Sequence, residues 1–461
     1  MTSTRTPHHI KSISVEKLFG RYSYSMPATD QDLTELNILY GNNGAGKTTL
    51  LNLLFHMLSP SDRREHRTKI SEIPFLNLEV TLNDGTILRA RKDAQLLVGP
   101  VKFSISKKDE MKIDWHFSPT EERGPFKFED LPFNIDVKKL PVKFRDDVIR
   151  GIAKRDYHKA LGDIEVVTYM LTSDRMLMSD SLDSQEISAR YESRNKTRLS
   201  EIVSENRIES VIEAMKSAST WVQKKYFEKS YGGGESSKSL YEEVIERIAK
   251  TPNKTKTGLN KSQESSAITN LTEMILDLDS RTKAFAKYGL GGTTISPEMA
   301  RIIAETQGNK LNLINSILQP YLSGLKARVD GIYPLYMLID TFVLQVNRFL
   351  KDKKLEYSLR SGFKILAHPE GEKYQEIQPS QLSSGEQQLI LLFCYVLVSR
   401  DKPSVFIIDE PEISLNIMWQ RLLVGALRDL VKDADIQFIF ASHSIEILSK
   451  HKDRVISMAS H

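Results

Sequence analysis

"LNILYGNNGAGKTTLLNLLFHML", Leu36–Leu58, joins a short apolar segment to a leucine-rich run through an octapeptide of small and polar residues. The apolar character of Leu36–Tyr40 predicts a buried strand, and the longer run Thr48–Leu58 predicts a helix. Between them, Gly41-Asn42-Asn43-Gly44-Ala45-Gly46-Lys47-Thr48 is a full match to GxxxxGK[ST]. Its glycines permit a tight loop whose backbone N–H groups wrap phosphates, and the following helix adds the positive end of its dipole. In such a loop Lys47 reaches the β- and γ-phosphates and the Thr48 hydroxyl coordinates Mg²⁺.

Two later segments fit the same chemistry. In "KPSVFIIDEPEISL", Lys402–Leu415, a predicted strand Val405–Ile408 ends in adjacent carboxylates, Asp409 and Glu410. Ligands of open α/β sheets bind beyond the carboxyl ends of the strands, so both acids face the phosphate site. Asp409 then serves the Mg²⁺ shell, and Glu410 orients and polarises the attacking water. An acidic turn of no further use is the competing reading of that pair alone. A further strand, Gln437–Ala441, runs into Ser442-His443-Ser444, which places a histidine at the same edge to sense or stabilise a γ-phosphate. A third segment, "QPSQLSSGEQQLILLFCYVLV", Gln378–Val398, sets a small, nearly uncharged turn before an apolar helix.

Together these residues resemble the heads of ABC-type ATPases, in particular the SMC/OLD-like branch of P-loop ATPases. Gly41–Thr48 looks like the Walker A loop and Leu382-Ser383-Ser384-Gly385-Glu386 like the ABC signature. Asp409 and Glu410 look like the Walker B pair, Glu412–Asn416 like the D-loop, and His443 like the switch histidine. The resemblance implies an α/β fold, with a parallel sheet core, an antiparallel β-lobe and an inserted helical domain. It implies ATP and Mg²⁺ as ligands. Asn42, Asn43, Gly44, Ala45, Gly46, Lys47, Thr48 and Thr49 are expected to hold the nucleotide, with Thr48 and Asp409 at the metal and Glu410 and His443 catalytic. In such heads Ser383, Gly385 and Glu386 meet the γ-phosphate held by an opposing head. One loop and one signature per chain therefore imply a homodimer or a higher oligomer. The family usually carries a glutamine after a strand between these motifs. Here "IEVVTYMLTSDRML" offers Asp174, followed by Arg175, as a metal- or water-reaching substitute, and a plain surface pair remains the alternative.

At 461 residues the chain is longer than one ordinary domain, and 40% hydrophobic with 27% charged residues suit a globular protein with ample core. The net charge of +4 leaves nucleic-acid contact open without arguing for it. A single cysteine, Cys394, excludes a disulfide framework and a CxxC zinc hook. The longest apolar run, Leu389–Val398, is short for a membrane span, and the first fifteen residues lack a signal-peptide block. No membrane partner and a cytoplasmic location are the expectation.

The chain divides by pattern into residues 1–180, 181–334 and 335–461: the first part of the head, a helical insertion, and the rest of the head. "HIKSISVEKLFGRYSYSM" alternates as a strand, with Arg21 and Tyr22 placed for an adenine and Tyr22 and Tyr24 equally readable as sheet-face residues. "FLNLEVTLNDGTILRARK" alternates on both sides of Asn83-Asp84-Gly85, a hairpin signal. Within the insertion Ile208, Val211, Ile212, Met215, Ala218 and Val222 recur at helical spacing, as do Ile268, Leu271, Ile275 and Leu278. Polar breaks fall at "YGGGESSKS" and at the lysine-bearing "TPNKTKTGLNKSQES". There are no sustained heptads, and no acid cluster for nuclease chemistry follows His443. A compact head with a helical insertion resembles the ATPase subunits of two-gene bacterial defence systems, AriA of PARIS first and PtuA of Septu second. That likeness implies a separate nuclease or toxin effector and a phage protein as trigger. A DNA-clamping SMC-like ATPase is the alternative.

Overall fold

The computed structural model describes residues 8–27, 32–61, 65–107, 111–119, 142–174, 177–179, 199–231, 261–291, 298–305, 309–368 and 374–458. In chain order these form β1 Ile10–Leu18, β2 Tyr22–Met26, β3 Leu36–Tyr40, α1 Lys47–Leu58, α2 His66–Glu72, β4 Asn77–Leu82, β5 Thr86–Arg91, β6 Val101–Lys107 and β7 Met111–Phe117. Then come α3 Val142–Gly162, β8 Val167–Leu171, β9 Leu177–Ser179, α4 Leu199–Tyr231, α5 Lys261–Ala286, α6 Glu298–Ala304 and α7 Asn309–Asn347. The chain continues with β10 Lys353–Ser358, β11 Gly362–Ala367, β12 Gln375–Ile377, α8 Ser384–Val398, β13 Ser404–Asp409, α9 Ile417–Leu430, β14 Ile436–Ala441, α10 Ile445–Lys450 and β15 Val455–Ser457. They fall into two compact units, Met1–Arg207 with Tyr395–His461, and Ile208–Cys394.

The first unit holds a core sheet in the order β15-β3-β14-β13-β8-β9. All neighbours in it are parallel except β9. Residues of β13 and β14 are buried throughout, as strands covered on both faces must be, so their sequences are continuous apolar runs rather than alternations. The registers Leu39↔Ala441, Asp409↔Ala441 and Ile408↔Leu171 bring the carboxyl ends of β3, β14, β13 and β8 level along one edge.

A second sheet, β2-β1-β4-β5-β6-β7, is antiparallel throughout and is the expected β-lobe. The β4–β5 hairpin turns at Asn83-Asp84-Gly85, with Gly85 at φ +86° and the Thr86 N–H donating to Asp84 Oδ1 at 2.8 Å. Buried Gln437 of β14 joins the two sheets: it accepts from the Ile10 N–H at 2.8 Å and donates to the carbonyls of Ile10 and Thr34, both at 2.9 Å. Helix α1 is buried almost all round, with Leu50, Leu51, Leu53, Leu54, Phe55 and Met57 in one core with both sheets. Each such side chain contributes about 1.5–3 kcal/mol on burial.

The second unit is helical around a small antiparallel sheet, β10-β11-β12. Val211, Met215, Ala218 and Val222 of α4 and Leu271, Ile275 and Leu278 of α5 are buried, as their spacing requires. Ile212 departs from that expectation and is 44% exposed, because the buried stripe follows the 211–215–218–222 row and leaves its neighbour outside. Gly362 at φ +72° lies so close to α4 that a Cβ would stand 2.6 Å from Ser219 Oγ, which accepts from the Phe363 N–H at 2.9 Å. Both polar breaks of the insertion fall largely outside the described residues.

Helix α7 runs through Pro320 and Pro334. Its Ile317–Asn347 segment, of mean hydropathy 1.2, is long and apolar enough to cross a membrane, more than the short Leu389–Val398 run suggests. Yet Leu322, Val329, Ile332, Ile339, Phe342 and Val346 of that segment are buried and give their apolar faces to the protein, as in a core helix.

Candidate functional site

The level strand ends of the first unit collect most of the residues singled out in the sequence. Gly41–Gly46 leave β3 as a loop, and Lys47 opens α1. Gly44 and Gly46 take φ +82° and +83°, and a Cβ on Gly46 would meet Leu18 at 2.8 Å, so both conformation and space demand glycine there. The Ala45 N–H donates to the Asn42 carbonyl at 3.1 Å, closing a turn. Tyr24 of β2, buried, donates its hydroxyl to the Ala45 carbonyl at 2.8 Å. Its role is therefore to fix the loop from the β-lobe. Tyr22 stacks on it with ring centroids 6.0 Å apart, and the Arg21 guanidinium lies 5.4 Å over Tyr22. Asn42, Asn43, Gly44 and Thr48 are exposed along the loop, and Thr49 is half-buried.

Lys47 is only 6% exposed and folds back over the loop, its Nζ donating to the carbonyls of Gly41 at 2.8 Å and Asn42 at 3.1 Å. Burial holds its pKa below the usual lysine range, against the opposing pull of Glu410, Asp409 and Glu412. Asp409, at the end of β13, is 1% exposed, and burial raises its pKa, helped by Glu410 and Glu412. Thr48 lies alongside and pulls the other way, yet neither carboxylate oxygen has a partner of full hydrogen-bond geometry. An orphaned buried carboxylate is costly unless something else satisfies it. Glu410 sits at φ +48°, immediately before Pro411, with its N–H on the Ala441 carbonyl at 2.9 Å. Positive φ in a non-glycine residue is strain that persists only where its surroundings impose it, and such residues gather at functional sites.

His443 follows β14, half-buried, its ring edge-on to Tyr40 with centroids 6.4 Å apart. Glu412 holds this turn in a way its sequence position gave no hint of: Oε1 accepts from the N–H groups of His443 at 2.6 Å and Ser444 at 3.1 Å, and Oε2 from Ser442 Oγ at 3.0 Å. Asp174 is exposed in a turn three residues beyond β8, the strand beside β13, and its carbonyl accepts from Arg207 at 3.5 Å. Arg175 lies outside the described residues.

Ser383, Gly385 and Glu386 belong to the second unit. Ser383 is exposed and Gly385 is buried in the first turn of α8. Glu386 closes a capping box: the Ser383 N–H donates to its Oε2 at 2.7 Å, and its own N–H donates to Ser383 Oγ at 3.3 Å. Its carboxylate also pairs with Lys353 at 2.8 Å. Burial pushes the Glu386 pKa up, but Lys353 and Ser383 outweigh it and hold the group below the ordinary range. The acid's carboxylate is thus committed to shaping the helix start.

The first unit's site fits a magnesium nucleotide. Mg²⁺ is held by one or two protein oxygens, with waters and the ligand's own phosphates filling the rest of its shell. Asp409 and Thr48 supply such a pair, and among the described residues no cluster of three or more His, Cys, Asp or Glu competes with it. When bound, the ion neutralises charge on the phosphates.

Comparison with known proteins agrees with this geometry. Residues 301–449 match the family described as "AAA domain, putative AbiEii toxin, Type IV TA system", a span that includes the signature turn, the acidic strand and the histidine loop. The chain is 24% identical over 189 residues to the energy-coupling factor transporter ATP-binding protein EcfA2 of Clostridium tetani, covering 35% of this chain and 64% of that protein. It is 28% identical over 176 residues to the zinc import ATP-binding protein ZnuC of Vibrio cholerae, covering 37% and 66%. The chain thus spans slightly under two thirds of these relatives. A solved Smc head domain with an extended coiled coil, from Pyrococcus furiosus, aligns over 96% of this chain at 11% identity, with a TM-score of 0.33 too low to carry weight. The α/β fold is like that of ABC-type P-loop ATPases.

Proposed function

We propose that the chain binds ATP with Mg²⁺ at the carboxyl edge of its core sheet and hydrolyses it, and that two copies close head to head around the nucleotide. The observation that carries this reading is Asp409: a buried carboxylate without a hydrogen-bond partner, beside a P-loop lysine and threonine. Lys47 neutralises phosphate charge, Glu410 orients the attacking water, and His443 meets the γ-phosphate. Asp174 stands on the same edge as a further water or metal contact. The relatives are ATP-binding proteins by name, and their likeness spans about a third of this chain, so it supports the nucleotide chemistry and not transport.

Exposed apolar side chains support pairing. Ile417 and Met418 in the first turn of α9 are 58% and 61% exposed, and Ile445 at the start of α10 is 78% exposed. The two helix starts are tied by Ser444 Oγ donating to Gln420 at 2.7 Å and by Arg421 pairing with Glu446 at 2.6 Å. Apolar surface at the rim of a phosphate site suits burial against a second head, where Ser383 and Gly385 of each copy complete the other's site.

At the level of biology, the chain is the cytoplasmic ATPase of a bacterial defence system resembling PARIS or Septu, holding a separate nuclease or toxin effector until a phage protein releases it. The helical insertion provides the effector surface. The match to a toxin–antitoxin family description favours this over DNA clamping. Glu410→Gln tests the chemistry: ATP binding survives, hydrolysis falls on the order of 10²-fold, and light scattering shows accumulated dimers in ATP. Parental turnover in this variant would remove Glu410 from the mechanism. Co-expression with the neighbouring gene tests the biology: a co-purifying nuclease supports defence, and a permease or exonuclease partner overturns it.

A further inference from the structure

We infer that Glu412 is the positioning residue that sets the His443 turn for hydrolysis: its hydrogen bonds go to the backbone and hydroxyl of that turn. The inference rests on the ATPase reading and adds a residue to it. Glu412 stands on the turn after β13, and His443 on the turn after β14, thirty-one residues later. A single carboxylate spans them, gathering two consecutive backbone N–H groups, His443 and Ser444, and one hydroxyl, Ser442. Ser442 Oγ in turn accepts from the Ser444 N–H at 3.1 Å, so the turn is closed on itself and on Glu412 together. Gln420 of α9 fixes the far side by accepting from Ser444 Oγ and donating to the Leu415 carbonyl at 2.8 Å.

Ser444 also caps α10, its Oγ accepting from the Ile447 N–H at 3.2 Å and its carbonyl from the Leu448 N–H at 3.0 Å. Ser442 N–H reaches the Leu39 carbonyl at 3.2 Å, and the His443 ring meets only the edge of Tyr40 among the aromatic contacts of the described residues. Backbone donors of a turn at a sheet edge otherwise face water and leave the side chain they carry free to wander. A displacement of about 1 Å in a group facing the reacting phosphate costs on the order of 10²-fold in rate. Glu410 and Glu412 flank Pro411, so the same short turn aims the expected base and holds the expected γ-phosphate contact. Movement of the acidic turn is thereby transmitted to His443.

The geometry separates positioning from charge. A glutamine at 412 keeps the reach and the Oε1 acceptor that receives both N–H groups, and its NH₂ can donate to Ser442 Oγ. An aspartate keeps the charge but withdraws it by about 1.5 Å, one carbon–carbon bond. ATPase kinetics, ATP-analogue affinity and thermal unfolding are to be measured on parental protein, Glu412→Gln, Glu412→Asp and Glu412→Ala. The expected result is kcat within about threefold of parental for Glu412→Gln. For Glu412→Asp and Glu412→Ala, kcat falls 10- to 100-fold with analogue affinity unchanged. Should Glu412→Ala fail to fold, the Gln and Asp pair still decides. Parental kcat in Glu412→Asp, or loss in Glu412→Gln as deep as in Glu412→Asp, overturns the inference, the latter by making 412 a charge or base. A parental protein that binds but never hydrolyses ATP instead fails the ATPase reading itself.

Discussion

The two edges of the core sheet treat buried polar groups in opposite ways. At the amino edge, Gln437 is fully buried and spends both its acceptor and its donors on backbone groups of β1 and the segment before β3. Asn37, 3% exposed, likewise bonds the backbone of Thr34 on both sides of its amide. At the carboxyl edge, Asp409 is as deeply buried and has neither oxygen satisfied, Lys47 is buried over its own loop, and Glu410 is held at positive φ. The sheet is the same, and Gln437, Asn37, Asp409 and Lys47 are all buried. What differs is whether the polar group is complete without a ligand. Completed groups hold the β-lobe to the core, while incomplete ones mark the edge where we propose that phosphate and metal enter. Stability stored at one edge underwrites strain at the other.

That contrast can be broken by substitution. Lys47→Ala should weaken binding of a labelled ATP analogue by on the order of 10²- to 10³-fold, through loss of charge-assisted contacts to phosphate, with unfolding unchanged or slightly raised. Unaltered affinity would detach the loop from nucleotide. Gln437→Leu should do the reverse. It removes the acceptor of the Ile10 N–H and one donor to each of the Ile10 and Thr34 carbonyls, Thr34 keeping its bond from Asn37 Nδ2 at 2.6 Å, costing about 1–3 kcal/mol in chemical denaturation, while affinity in the folded protein stays at the parental value. A weakened affinity with parental stability would place function at the wrong edge.

A smaller effect sharpens the structural side. Near the end of α1, His56 Nδ1 and His66 Nδ1 share a hydrogen bond of 2.7 Å, in which one ring donates and the other accepts. Burial, followed by the charges of His66, Lys69 and Arg67, depresses the His56 pKa to about 3 from 6.5. The folded pKa lies below the unfolded one, so the unfolded chain takes up the proton first as pH falls. Stability is complete above pH 6.5 and declines by about 1.4 kcal/mol per unit between 6.5 and 3. His56→Gln should flatten the pH dependence of the unfolding midpoint over pH 6.5–4.5, and an unchanged slope would assign the acid sensitivity elsewhere.

The sequence revealed the carboxyl edge better than it revealed its supports. β3, β13 and β14 announce themselves as uninterrupted apolar runs that end in chemistry-bearing residues, and the P-loop is a contiguous motif. Leu36–Tyr40 is a strand with the bounds its residues predict. Tyr24 and Glu412 were not legible as supports, because each acts on a backbone group that only the folded chain brings near. Tyr24 reaches Ala45 from another sheet, and Glu412 reaches across to the next strand's turn. Spacing likewise marked Ile212 as apolar stripe but gave no means of telling the row that packs from the row beside it. Within the signature, the Ser-x-x-Glu pattern at Ser383–Glu386 is itself a capping box, so the role of Glu386 in the helix start was readable from local rules.

The central claim is that Asp409 is buried for a ligand and not for the fold. Thermal unfolding of parental protein and Asp409→Asn, each with and without MgATP, tests it most directly. Removing an unpaired buried charge should leave the ligand-free midpoint unchanged or higher, and should abolish the rise that MgATP gives the parental protein. A ligand-free loss of more than about 1 kcal/mol together with a parental MgATP response would contradict the account.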